Sequence, residues 1–129
     1  MVHCNGARTA EAAAEAKVDS IDHGAYLDDD ALHAMAENGC VWVPTLSTIG
    51  NLRGKGRFRE EAVQQILASA LENVRKFGSM GGLIAPGTDA GAWAVPHGSE
   101  TEEPLLRLAL GANTQAILEE GTAVIHKKF

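Results

Sequence analysis

Short apolar segments alternate with amphipathic helical patterns from the first residue of the chain to the last. Parallel strands cannot be joined by a tight turn, so each needs a crossover, usually a helix, and the alternation predicts a parallel sheet covered by helices. The order reads β-α-β-α-β-α-β-α. Met1 and Val2 begin a first strand leading to His3, and Thr9 then caps an Ala- and Glu-rich helix from Ala10 to Lys17. A second strand covers Val18 to His23, after which Asp28 or Asp29 can cap a helix that runs to Asn38, with Gly39 as its left-handed stop. Strand three is Cys40 to Leu46. The strongest helical pattern is Glu60 to Phe77, where Val63, Ile66, Leu67, Ala70, Val74 and Phe77 recur on one face. Glu60 and Glu61 open it and Arg75 and Lys76 close it, so both ends of the helix dipole are complemented. Strand four is Gly82 to Ala85, followed by a long loop and helices from Thr101 to Leu110 and Asn113 to Lys127.

Strand-to-strand repeats of about 20 residues are near the minimum for a βα unit, as in (β/α)8 barrels. Four strands in 129 residues are half of such a barrel, whose usual length is about 250. The expected class is therefore α/β: one domain over residues 1–129 with four βα units, either a small open sheet or half of a (β/α)8 TIM-type barrel. An open four-stranded parallel sheet leaves two edges and an apolar face exposed. Either two copies associate as a homo-oligomer, or the half-barrel docks on a missing N-terminal half.

Charge narrows the partners. A formal net charge of −6 and a pI near 5.3 argue against nucleic acid or an anionic membrane surface as a ligand. Arg53, Lys55, Arg57 and Arg59, interleaved with Gly54, Gly56 and Phe58, read as a solvated loop. No apolar run reaches the about 18 residues that span a bilayer, and the start lacks a cationic segment leading into an apolar one, so a cytoplasmic location is expected. Cys4 and Cys40 fall at opposite ends of the sheet and are expected as free thiols, with Cys4 turned away from the side that His3 faces. Gly81 and Gly82 precede their strand, so they cannot cradle a phosphate at a helix N-terminus.

Polar residues stand at the C-terminal ends of the apolar runs, the functional edge of parallel α/β folds. His3, His23 and Asp89 can thus face a common mouth. Imidazoles at matching levels of adjacent strands, about 4.8 Å apart, can reach one ion, and a carboxylate beside a metal-bound water is a natural proton acceptor. Taken singly, each is equally a hydrogen-bonded structural histidine or a helix-capping aspartate. His33, on a helix face, and His126, beside two lysines near a helix C-terminus, are read as surface or packing residues. Trp42 belongs in a strand and packs, whereas Trp93 follows Asp89 closely enough to wall a substrate pocket.

Asp-Ser-Ile-Asp-His-Gly at 19–24 and Pro-Gly-Thr-Asp-Ala-Gly at 86–91, with the segment around His3, resemble the sixth, eighth and fifth strand motifs of the metal-dependent amidohydrolase superfamily. The likeness is nearest to its imidazolonepropionase-like and Xaa-Pro dipeptidase-like branch and extends from residue 2 to about residue 110. The resemblance implies a divalent metal, zinc foremost, with His3, His23 and Asp89 as ligands and Asp89 also as general acid/base. It implies hydrolysis of an amide-type C–N bond in a cyclic amide, amidine or dipeptide, and places His97 on a loop that touches substrate. The His-x-His of the family's first strand and the lysine or glutamate of its fourth have no counterpart here. The expectation is a C-terminal portion of such a hydrolase, inactive by itself. The alternative is a noncatalytic α/β half-barrel whose main property is self-association.

Overall fold

The computed structural model describes residues 1–128. Four short strands lie side by side in chain order, all parallel: β1 (Val2–Gly6), β2 (Ser20–Tyr26), β3 (Val41–Val43) and β4 (Leu83–Ile84). Helices follow each strand: α1 (Ala7–Glu15), α2 (Asp29–Glu37), then α3 (Leu46–Gly50) and α4 (Glu60–Ser79), then α5 (Glu102–Leu110), a single 3-10 turn (Gly111–Asn113) and α6 (Thr114–Lys128). This is the α/β architecture of four βα units that the spacing predicts.

Local chemistry accounts for most boundaries. Asp28 caps α2 by accepting from the Ala31 amide at 3.0 Å, Asp29 and Asp30 lie in its first turn, and Gly39 past its end takes a φ of 65°. Glu60 and Glu61 begin α4 and Lys76 lies in its last turn. Thr9 does not cap: α1 starts at Ala7 with Gly6 before it and no side-chain cap. β2 begins later and runs further than expected, because Lys17, at φ 59°, turns the chain ahead of it. β3 ends at Val43 instead of Leu46, since Pro44 and the left-handed Thr45 (φ 47°) stop it and Leu46 opens a further helix, α3.

Paired residues of neighbouring strands point to the same side of a sheet, and residues along a strand alternate. Val2, Ile21, Trp42 and Ile84 form one such row, and with the helices they build the core. Trp42 meets Phe77 of α4 edge to face at 5.6 Å, and Leu32, Met35, Val74 and Leu106 are fully buried around them. His3, Asp22 and Val43 form the row on the opposite face. Cys4 is buried on the core side while its neighbour His3 is exposed, and both cysteines are free thiols, as expected.

The two edges of the sheet differ. Ile84 stands opposite Trp42 and the next amide, Ala85, donates to the Trp42 carbonyl at 3.0 Å. In a parallel pair this leaves the N–H and C=O of Ile84 pointing away from β3, toward the outer edge. Gly121 of α6 lies against that edge, so close that a Cβ there would come within 2.1 Å of the Ile84 carbonyl oxygen. Helix α6 therefore sits where the next strand of a closed barrel would pair. At the other end of the sheet, β1 has β2 as its one neighbour among the described residues. No helix among the described residues is long and apolar enough to cross a membrane.

Candidate active site at the C-terminal edge of the sheet

His3 and His23 are brought together: their rings meet edge to face with centroids 4.3 Å apart. They do not stand at matching levels. His3 pairs with Asp22, and His23 pairs with Cys4, a residue of the core side. Strict alternation would send His23 toward the helices with Ile21. Its backbone instead adopts φ 74°, and Gly24 follows at φ 70°, which takes His23 out of the alternation and onto His3. Two bonds hold this kink. The Trp42 indole donates to the His23 carbonyl at 2.9 Å, and Thr45 Oγ1 lies 2.7 Å from His23 Nδ1. A side chain at Gly24 would meet Trp42 Nε1 and Leu27 Cδ1 at 2.9 Å, so the turn is closed on both sides.

Asp89 follows β4 on a left-handed turn (φ 54°) and is exposed. Its carbonyl accepts from the Ala92 amide at 3.0 Å, and the Gly91 amide donates to Val95 at 2.9 Å, so Asp89 and Trp93 share one compact loop. That loop is tied down from below. Ser47 Oγ donates to the Thr88 carbonyl at 2.9 Å, and the amides of Leu46 and Ser47 donate to the two carboxylate oxygens of the buried Glu102, at 3.0 and 2.6 Å. A chain of support thus runs from α5 through the start of α3 to the residue before Asp89. Neither Ser47 nor Glu102 stands out in the sequence. Glu102 reads there as an ordinary acidic residue of a helix's first turn, and its partners are 55 and 56 residues away.

Ionisation links the group. Burial holds the His23 imidazole below its ordinary value and the neighbouring His3 adds to this, while Asp89 and Asp22 oppose it. Burial likewise raises the Asp22 carboxyl, against the pull of His23, the amino terminus and His3. His23 and Asp22 thus feel both His3 and Asp89, which puts the four residues in one electrostatic neighbourhood.

The donor chemistry of two imidazoles suits zinc and similar divalent ions. The count does not: catalytic zinc sites use three protein ligands, and among the described residues no group of three or more His, Cys, Asp or Glu is arranged to hold an ion. Two imidazoles meet without a third such donor arranged beside them among the described residues. His97 is exposed in the Pro96–Ser99 turn, and Trp93 is half-exposed beside Phe58. His33 is on the surface, with Nδ1 2.7 Å from the Asp29 carbonyl oxygen. His126 lines a cleft of about 1140 Å³ between α5, α6 and residues 86–88, which His3, His23 and Asp89 do not line.

No protein-family model matches the chain. Uncharacterized proteins of Mycobacterium bovis and Mycobacterium tuberculosis are 33% identical to it in an alignment 94 residues long that covers 68% of this chain and 25% of theirs. Among solved structures, a Xaa-Pro dipeptidase with methionine bound in its active site matches 92% of the chain at 31% identity and a TM-score of 0.61, over 31% of its own length. The ochratoxinase of A. niger matches 95% at 23% identity and a TM-score of 0.73, over 29% of its length. An uncharacterized protein matches 96% at 21% identity and a TM-score of 0.70, over 32% of its length. The chain shares a fold with parts of these solved structures, and it spans about a quarter of the curated relatives and under a third of the two named enzymes.

Proposed function

We propose that the chain carries one side of the active site of an amidohydrolase-like enzyme that cleaves an amide-type C–N bond in a small molecule or dipeptide. The observation that carries this reading is the meeting of His3 and His23 at the C-terminal edge of a parallel sheet. Its support is the likeness to a Xaa-Pro dipeptidase across nearly the whole chain. His3 and His23 would hold a divalent metal, zinc foremost, with Asp89 as further ligand and as the group that takes and returns the proton. His23 Nδ1 is engaged by Thr45, which leaves Nε2 as its free nitrogen. A divalent ion held there would supply hydroxide near neutral pH. Trp93 and His97, on the loop that also bears Asp89, would face substrate. Residues outside this chain complete the donor set, so the chain alone is expected to be inactive.

Zinc titration of the purified chain, followed calorimetrically, tests the reading. One ion should bind per chain, and His3→Ala or His23→Ala should each abolish it. Equal binding by both variants would overturn the assignment. The incomplete donor set supports a second reading, a noncatalytic half-barrel that self-associates. Absence of zinc binding in a chain that forms a defined dimer would favour that one.

A further inference from the structure

The loops after β3 and β4 meet at one cluster that the proposed metal site does not use. Arg57, between α3 and α4, places its guanidinium 4.7 Å from the centre of the Trp93 ring and 5.6 Å from that of Phe58. The two rings pack edge to face at 6.4 Å. Both remain about half open to water, Phe58 at 51% and Trp93 at 49%. Such side chains are ordinarily buried further, and a guanidinium held over aromatic faces has lost freedom that an exposed arginine keeps.

Arg57 also lacks a carboxylate. Arg59, Arg75 and Arg107 each meet a glutamate, whereas Arg57, like Arg8 and Arg53, forms no ion pair among the described residues, in a chain of net charge −6. The N–H groups of a guanidinium form a fork that matches the two oxygens of a carboxylate. Arg53 and Lys55 precede it in the same loop and add positive potential. The Phe58 and Trp93 rings beside it offer apolar surface. We propose that Arg57, Phe58 and Trp93 form a binding site for an organic anion whose carboxylate adjoins an apolar or aromatic group.

Trp93 shares a hydrogen-bonded loop with Asp89, so an anion seated there would lie at the candidate mouth. In naming a carboxylate-bearing amide as substrate, the inference rests on the proposed function; as an anion site it stands by itself. The two tryptophans make the test direct, because the Trp42 indole is buried and bonded to the His23 carbonyl while that of Trp93 is not in the core. The chain is titrated with 3-phenylpropionate in the presence of a chelator, and both indole N–H signals are followed by NMR. The Trp93 signal should shift with saturation and the Trp42 signal should stay. Arg57→Ala should weaken binding at least tenfold, and Arg57→Lys should retain part of it. Equal shifts with 3-phenylpropylamine, unchanged binding by Arg57→Ala, or no saturable shift in the folded chain would overturn the site. No metal or turnover is involved, so failure here and failure of the zinc titration are separate results.

Discussion

Glu102 is a carboxyl that the fold keeps from water while using both of its oxygens as acceptors. It is 3% exposed, and both of its oxygens accept backbone amides at the start of α3. Burial raises its pKa and the bonds from Ser47 and Leu46 oppose the rise without cancelling it. A carboxyl with a folded pKa above its unfolded value of about 4.5 contributes most stability below that value, and loses it as pH rises through the folded pKa. Glu102→Ala should destabilise the chain by about 2–3 kcal/mol, since two buried N–H groups lose their acceptor. Glu102→Gln should cost less and should remove this residue's share of the pH dependence above pH 4.5, because nothing is left to titrate. Urea denaturation of the three proteins across that range checks both. Residue by residue, the sequence showed which side chains could do chemistry but not how they meet. His3 and His23 were visible as strand-end histidines, whereas the left-handed kink that turns His23 out of its strand depends on Trp42 of β3 and on Thr45 just past it.

At the scale of elements, α2 was legible because its Asp28 cap and first-turn acids agree, and α4 because its end charges and periodicity agree. The short α3 was not. Its five residues begin after a left-handed threonine without a side-chain cap, and its first amides are satisfied by Glu102 from α5. Nothing local announces it. Gly121 poses the opposite problem, since propensity and packing conflict there. In a helix interior, Gly→Ala is worth about 1 kcal/mol in favour of alanine. Here the added Cβ would fall 2.1 Å from the Ile84 carbonyl oxygen and 2.5 Å from its carbon, backbone atoms that cannot rotate away. Overpacking of this kind costs about 1–3 kcal/mol, so packing should win and Gly121→Ala should lower the thermal midpoint. A rise would mean that α6 does not rest on β4.

The four parallel βα units were legible from one quantity, the spacing between strands, because a βα repeat of that length admits few architectures. Half of the candidate site was not, since the other ligands of such a site would come from strands that this chain does not contain. The same incompleteness bears on association. Two copies could close a barrel only if β4 of each paired with β1 of the other, and α6 occupies the outer edge of β4. The edge of β1 remains, and pairing like edges about a two-fold axis gives an antiparallel seam and a dimer with no further edge to extend. Light scattering should therefore show nothing larger than a dimer. Gly121→Arg, which cannot seat α6 on Ile84, frees the second edge and should yield larger assemblies at the same concentration. A well-folded monomer at micromolar concentration would remove self-association as the means of covering the sheet. It would leave the β1 edge as the place where a different chain could pair with the sheet.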